Sequence, residues 1–154
     1  MKKYDWQRLK HLQLGRYAEY LIKMELTFYG LDIYTAEVDD KGIDFVVRNN
    51  DNQYFDIQVK SIRGLNYIYI PKKNFQPRNN LLAAIVIFIE SEPPHFYLIP
   101  SLSWVKPNEL LADREYKDKK SAPEWGLNIS QKNMPLLEKF SLEKVVKDIM
   151  YNKD

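Results

Sequence analysis

Leu81-Leu82-Ala83-Ala84-Ile85-Val86-Ile87-Phe88-Ile89 decides the fold class. These nine consecutive apolar residues are too few for a membrane helix, which needs roughly 20. Their β-branched content fits a strand, and the lack of period-two alternation predicts a strand covered on both faces. Such cover requires helices on at least one side of the sheet, so the stretch predicts an α/β domain.

Upstream, Tyr67 to Ile70 alternates as a short third or edge strand. The connection from Pro71 to Asn80 carries Pro71 and Pro77 and has room for little more than a turn. Ile43–Arg48 and Gln53–Ser61 read as the two arms of a hairpin around Asn49-Asn50-Asp51-Asn52. Ile33 to Val38 and an acidic turn, Asp39-Asp40-Lys41-Gly42, come before it. The first confident element is a helix from about Gln13 to Tyr29. Leu14, Ala18, Leu21, Glu25 and Phe28 recur there at helical spacing, Tyr17, Ile22 and Leu26 widen the apolar surface, and Gly30 is the stop.

Downstream, Glu92-Pro93-Pro94 makes a turn into a strand over His95–Ile99. From Pro100 to Pro135 the pattern is poor, with Trp104 and Trp125 expected as packing anchors and the Lys117–Lys120 run as plain surface. Ser141 to Tyr151 reads as a terminal helix with Ser141 as N-cap. No repeat or composition break appears, so 1–154 is expected to be one domain. Its motif-bearing core is expected over about 13–99, with an irregular and helical extension over about 100–154.

Composition narrows the chemistry. The 154 residues contain no cysteine and two histidines, His11 and His95. Thiolate nucleophiles, cysteine-ligated metals and a multi-histidine cage within one chain are excluded. The beginning of the chain lacks the apolar run of a signal peptide, and a cytoplasmic protein with no membrane partner is the expectation. A net charge of +2 names no partner, but its order is informative. Glu37 to Asp44 holds four carboxylates and one lysine; Asp56 to Asn80 then sets Lys60, Arg63, Lys72, Lys73 and Arg78 against Asp56 alone. A carboxylate pocket beside a basic stretch suits an enzyme acting on a polyanion.

The chemistry concentrates in Phe55-Asp56-Ile57-Gln58-Val59-Lys60. Strand alternation sets Phe55, Ile57 and Val59 on one face and Asp56, Gln58 and Lys60 on the other. Asp44 interrupts the apolar run Gly-Ile-Asp-Phe-Val-Val, where a carboxylate needs solvent or a role. Across the hairpin ladder Asp44 and Gln58 approach each other. The Asp44 carboxylate, the Gln58 amide oxygen and the Val59 carbonyl would then offer oxygen ligands to a hard cation, with Lys60 to stabilise charge at a scissile phosphate. Glu19, beside the apolar stripe of the first helix, is placed to face the same pocket.

Gly15-Arg16-Tyr17-Ala18-Glu19, Gly42-Ile43-Asp44 and Gln58-Val59-Lys60 together resemble the signature of the restriction-endonuclease-like nucleases, the PD-(D/E)XK superfamily, and most of all its Mrr-like and Holliday-junction-resolvase-like branches and small bacterial members. The resemblance implies a mixed sheet flanked by helices with an αβββαβ core, here with a reduced middle helix. It implies Glu19, Asp44, Gln58 and Lys60 as the catalytic set and Asp44, Gln58 and Val59 at the metal. The implied cofactor is magnesium, with manganese as a substitute, and the implied activity is DNA phosphodiester hydrolysis. Gln58 departs from the family's usual second carboxylate, as in Mrr-like members, and removes one negative charge from the metal site. The alternative expectation is an inactive member of the fold serving as a nucleic-acid or protein-binding module. A homodimer or a protein partner is compatible with either reading.

Overall fold

The computed structural model describes residues 2–38, 41–118 and 120–151. Asp39 and Asp40 of the expected acidic turn and Lys119 of the lysine run lie outside the described residues. After a 3₁₀ turn at Trp6–Arg8, helix α1 spans His11–Phe28. Its buried stripe is Leu14, Ala18, Ile22 and Leu26, a row at strict i, i+4 spacing. Phe28, expected on that stripe, is 84% exposed. It lies two residues beyond Leu26, about 200° round the helix from the buried row.

Five strands build the main sheet: β1 (Asp32–Tyr34), β2 (Phe45–Arg48), β3 (Tyr54–Arg63), β5 (Leu81–Phe88) and β6 (His95–Pro100), in the order β1-β2-β3-β5-β6. The β3–β5 pair is parallel and the other pairs are antiparallel, which makes the sheet mixed. The expected hairpin forms, with Arg48 opposite Tyr54. Its turn is tied by Asn49, whose side-chain oxygen accepts from the amides of Asp51 and Gln53 while its amide donates to the Ile149 carbonyl at 2.8 Å. All eight residues of β5 are buried. The mixed sheet and its flanking helices form the restriction-endonuclease-like α/β architecture expected from the sequence.

The two faces of β5 have different covers. Leu82, Ala84, Val86 and Phe88 pack with α1 and with the terminal helix α3 (Leu142–Tyr151). Leu81, Ala83, Ile85 and Ile87 pack against a second sheet of three strands, β4 (Tyr67–Pro71), β8 (Glu124–Asn128) and β7 (Leu111–Arg114), ordered β4-β8-β7. This revises two expectations. Tyr67–Ile70 is not a strand of the main sheet: it pairs with β8, Ile68 facing Leu127. The region after Pro100 is not irregular: it holds a 3₁₀ turn at Ser101–Val105, β7, β8 and a one-turn helix α2 (Met134–Leu137). The helix shortened by Pro71 and Pro77 is thus replaced by a β layer. The two tryptophans anchor that layer, Trp104 donating to the Gly126 carbonyl and Trp125 to that of Phe75, each at 2.8 Å. Among the described residues no helix is long and apolar enough to cross a membrane.

Candidate functional site

The site arises where β2 leaves β3. Pairing ends with Phe45 opposite Ile57, while β3 continues to Arg63. Asp44 N also donates to the Ile57 carbonyl, at 2.9 Å. Asp44 and Phe45 therefore face one residue of β3, the geometry of a bulge, which re-aims a side chain at the point where a ladder stops. The re-aimed Asp44 side chain accepts a 2.6 Å hydrogen bond from the Val59 amide, standing in for the strand partner that β2 no longer supplies. Gly42 at φ +74° turns the chain into this approach, close to the Asn74 side chain.

A strand residue directs its N–H and C=O to the same edge. Since Val59 N meets Asp44, the Val59 carbonyl also points to the β2-side edge of β3. Past Val59 that edge carries no strand of the main sheet among the described residues. The open edge floors a cleft of about 470 Å³ lined by His11, Leu12, Gly15, Arg16, Glu19, Asp44 and Val59. At its far end Arg63 donates to the carbonyls of Trp6 and Leu9, which holds the segment before α1 against the end of β3.

Of the expected site residues, the structure gathers Glu19, Asp44 and Val59 along this cleft. Glu19 is held by two neighbours on its own helix, Arg16 at 3.2 Å and Lys23 at 3.1 Å. Gln58 and Lys60 are not among the lining residues. Ile57 and Val59 pack on the helix side and Ile62 packs with the second sheet, so alternation puts Gln58 and Lys60 on the second-sheet face of β3. Gln58 is 7% exposed, and its side-chain oxygen is buried without a hydrogen-bond partner among the described residues. Lys60 is half-buried.

The basic stretch after Asp56 is largely consumed internally. Arg78 pairs with Asp56, and Lys72 sits between Asp113 and Glu115 with its ammonium 4.1 Å above the Trp125 ring. Arg63 is committed to the two backbone carbonyls already described. The charge order along the chain therefore overstated the cations this segment offers to a ligand.

One cleft residue, His11, was given no role by the sequence reading. The helix, expected from about Gln13, starts at His11 and so puts His11, Gly15 and Glu19 on one i, i+4, i+8 line. Gly15 is a mid-helix glycine at which an added Cβ would meet nothing within 4 Å, so packing does not require it. That periodic line through a glycine was the available signal.

Among the described residues no group of three or more His, Cys, Asp or Glu side chains is placed to hold a metal ion. The oxygen donors at the open edge are the Asp44 carboxylate and the outward Val59 carbonyl, while the buried Gln58 amide oxygen lies on the other face of β3. These are oxygen atoms, as magnesium and manganese prefer, and a buried carbonyl-type oxygen without a donor fits such a cation.

No protein-family model matches the chain, and no curated relative matches it. Among solved structures it is similar to the Holliday junction resolvase Hjc of the archaeal hyperthermophile Archaeoglobus fulgidus. That match has 14% identity and a TM-score of 0.55, covering 86% of this chain and 94% of the other. A bacterial homing endonuclease matches with 13% identity and a TM-score of 0.46, covering 88% and 97%. At these identities the likeness to the resolvase is one of fold.

Proposed function

We propose that the chain is a metal-dependent endonuclease that hydrolyses DNA phosphodiester bonds at the open edge of β3. One observation carries this reading: a bulge places the Asp44 carboxylate and the Val59 amide in contact, in a cleft that Glu19 also lines. The resolvase-like fold supports the choice of substrate, since the matched protein is a Holliday junction resolvase.

In this reading Asp44 and Val59 at the open edge of β3, with Gln58 reaching that edge from the second-sheet face, would hold a magnesium or manganese ion, which when bound supplies positive charge to the scissile phosphate and acidifies water for attack. Asp44 anchors that end of the cleft through its bond to Val59. Lys60, on the same face of β3 as Gln58, would have to reach round that edge to stabilise the charge that builds on the phosphate. Glu19, braced by Arg16 and Lys23, accepts a hydrogen bond from water in the cleft. His11 and Arg16 bind phosphate oxygens at the rim, and Gly15 leaves the space between them open.

The test is cleavage of duplex, single-stranded and junction DNA with magnesium or manganese, comparing wild type with Asp44→Asn and Lys60→Ala. Loss of cutting in both folded variants supports the assignment, and retained cutting in both rejects it. A second reading, a binding module without catalysis, is favoured by the single carboxylate of the donor set and by the ion pairs that occupy Glu19. Absence of magnesium or manganese binding by calorimetry, together with intact DNA binding, selects it.

A further inference from the structure

The cations that the segment after Asp56 spends internally are matched by another set in the segment that leads into the cleft. Residues 2–16 carry Lys2, Lys3, Arg8, Lys10 and Arg16 against Asp5 alone, and these five basic residues are exposed. Arg8 is within 3.8 Å of Asp5 and Arg16 pairs with Glu19, while Lys2, Lys3 and Lys10 make no ion pair with a described residue. The segment is fixed in place. The Trp6 indole donates to the Glu92 carbonyl at 2.9 Å, Ser91 N donates to the Tyr4 carbonyl at 3.1 Å, and Arg63 grips the carbonyls of Trp6 and Leu9. It runs directly into the cleft, because His11, Leu12 and Arg16 line it.

We infer that this N-terminal strap is the track on which the nucleic-acid backbone lies as it enters the cleft, with Lys2, Lys3 and Lys10 contacting successive phosphates outside the site of cleavage. The inference rests on the nuclease reading for its choice of DNA as the polyanion. Charge fixed on a tethered segment is preorganised, so binding does not have to order it first. Contacts of this kind add affinity without sequence preference, and each phosphate neutralised steepens the dependence of binding on salt.

The experiment is fluorescence anisotropy of a labelled DNA duplex with EDTA present, so that binding is read without cutting, over about 50–200 mM sodium chloride. The triple variant Lys2→Ala, Lys3→Ala, Lys10→Ala is compared with wild type and with a control triple, Lys106→Ala, Lys117→Ala, Lys139→Ala, taken from exposed lysines elsewhere. The strap triple is expected to bind at least ten-fold more weakly at about 100 mM salt. Its slope of log affinity against log salt should be shallower by about 2–3, near 0.9 per phosphate lost. The control triple should stay within two-fold of wild type. Equal losses in the two triples, an unchanged slope, or anionic vesicles bound where DNA is not would each overturn the strap. Cutting is assayed separately with magnesium: strap-dependent binding without cutting leaves the strap standing and removes the nuclease, and cutting with a strap-independent slope does the reverse.

Discussion

The Val59 amide of β3 donates to the Asp44 carboxylate at 2.6 Å, across the gap left where β2 ends. The bond gives Asp44 a part in folding that is separable from its proposed part in chemistry. Asp44→Ala should leave the Val59 N–H without its partner and cost about 1–3 kcal/mol, read by chemical denaturation. Asp44→Asn keeps an acceptor oxygen but not the charge. It should unfold close to wild type while losing magnesium binding and cleavage; a stable variant that still cuts would remove Asp44 from the site.

Gly15 provides the converse case. A glycine within a helix costs roughly 0.5–1 kcal/mol relative to alanine, and beyond its chain neighbours and the helix's own backbone no described atom lies within 4 Å of where its Cβ would be. Gly15→Ala should therefore stabilise the protein by about that amount. Because the methyl group would project into the space beside His11 and Glu19, the same variant should cleave DNA more slowly. Unchanged turnover at raised stability would mean that substrate does not approach this wall of the cleft.

At Gln58 the buried oxygen without a donor forfeits its hydration and gains nothing in return. Gln58→Met, close in shape and apolar, should stabilise the metal-free protein by about 1 kcal/mol, a rise in melting temperature of about 2–4 °C. It should also abolish the stabilisation that added magnesium gives wild type. Gln58→Glu should strengthen the magnesium response by restoring a negative charge. A scan of melting temperature against magnesium concentration for the three proteins decides the matter.

High pH should weaken the fold through two tyrosines. Burial, followed by hydrogen bonds to Glu138 and Glu124, raises the ionisation of Tyr97 and Tyr67 well above the ordinary value of 10. The folded state thus keeps protons that the unfolded chain releases near pH 10. Stability from these groups is complete below pH 10 and is lost as pH rises through and beyond it. Denaturant midpoints between pH 8 and 11.5 should fall more gently for Tyr97→Phe and Tyr67→Phe than for wild type. Parallel curves would show that neither phenol carries the effect.

What the sequence displayed followed the length of each pattern. The nine apolar residues from Leu81 and the apolar row of the first helix were long enough to reveal the sheet, its cover and the hairpin between them. Leu111–Arg114 and Glu124–Asn128 were not, since each buries only one or two residues and the pairing that makes them strands is with each other and with β4. Of the expected set Glu19, Asp44, Gln58, Val59 and Lys60, the cleft is lined by Glu19, Asp44 and Val59, and strand alternation leaves Gln58 and Lys60 on the other face of β3. The bulge was not legible, because it depends on which carbonyl of β3 the Asp44 amide meets. The commitment of Arg63, Lys72 and Arg78 to internal partners was equally invisible, as those partners lie 22 to 57 residues away along the chain.

The β layer that replaces a crossover helix has a consequence for how the molecule is made. A helix between β3 and β5 would be synthesised before β5 and could receive it at once. Here only β4 of the layer that covers Leu81, Ala83, Ile85 and Ile87 precedes them; β7 and β8 are translated after β5 is complete. At about 5–20 residues per second, one side of the most apolar strand waits for seconds with that cover incomplete. The nascent chain at that stage is the form of the protein most exposed to aggregation, and the form on which a chaperone would act.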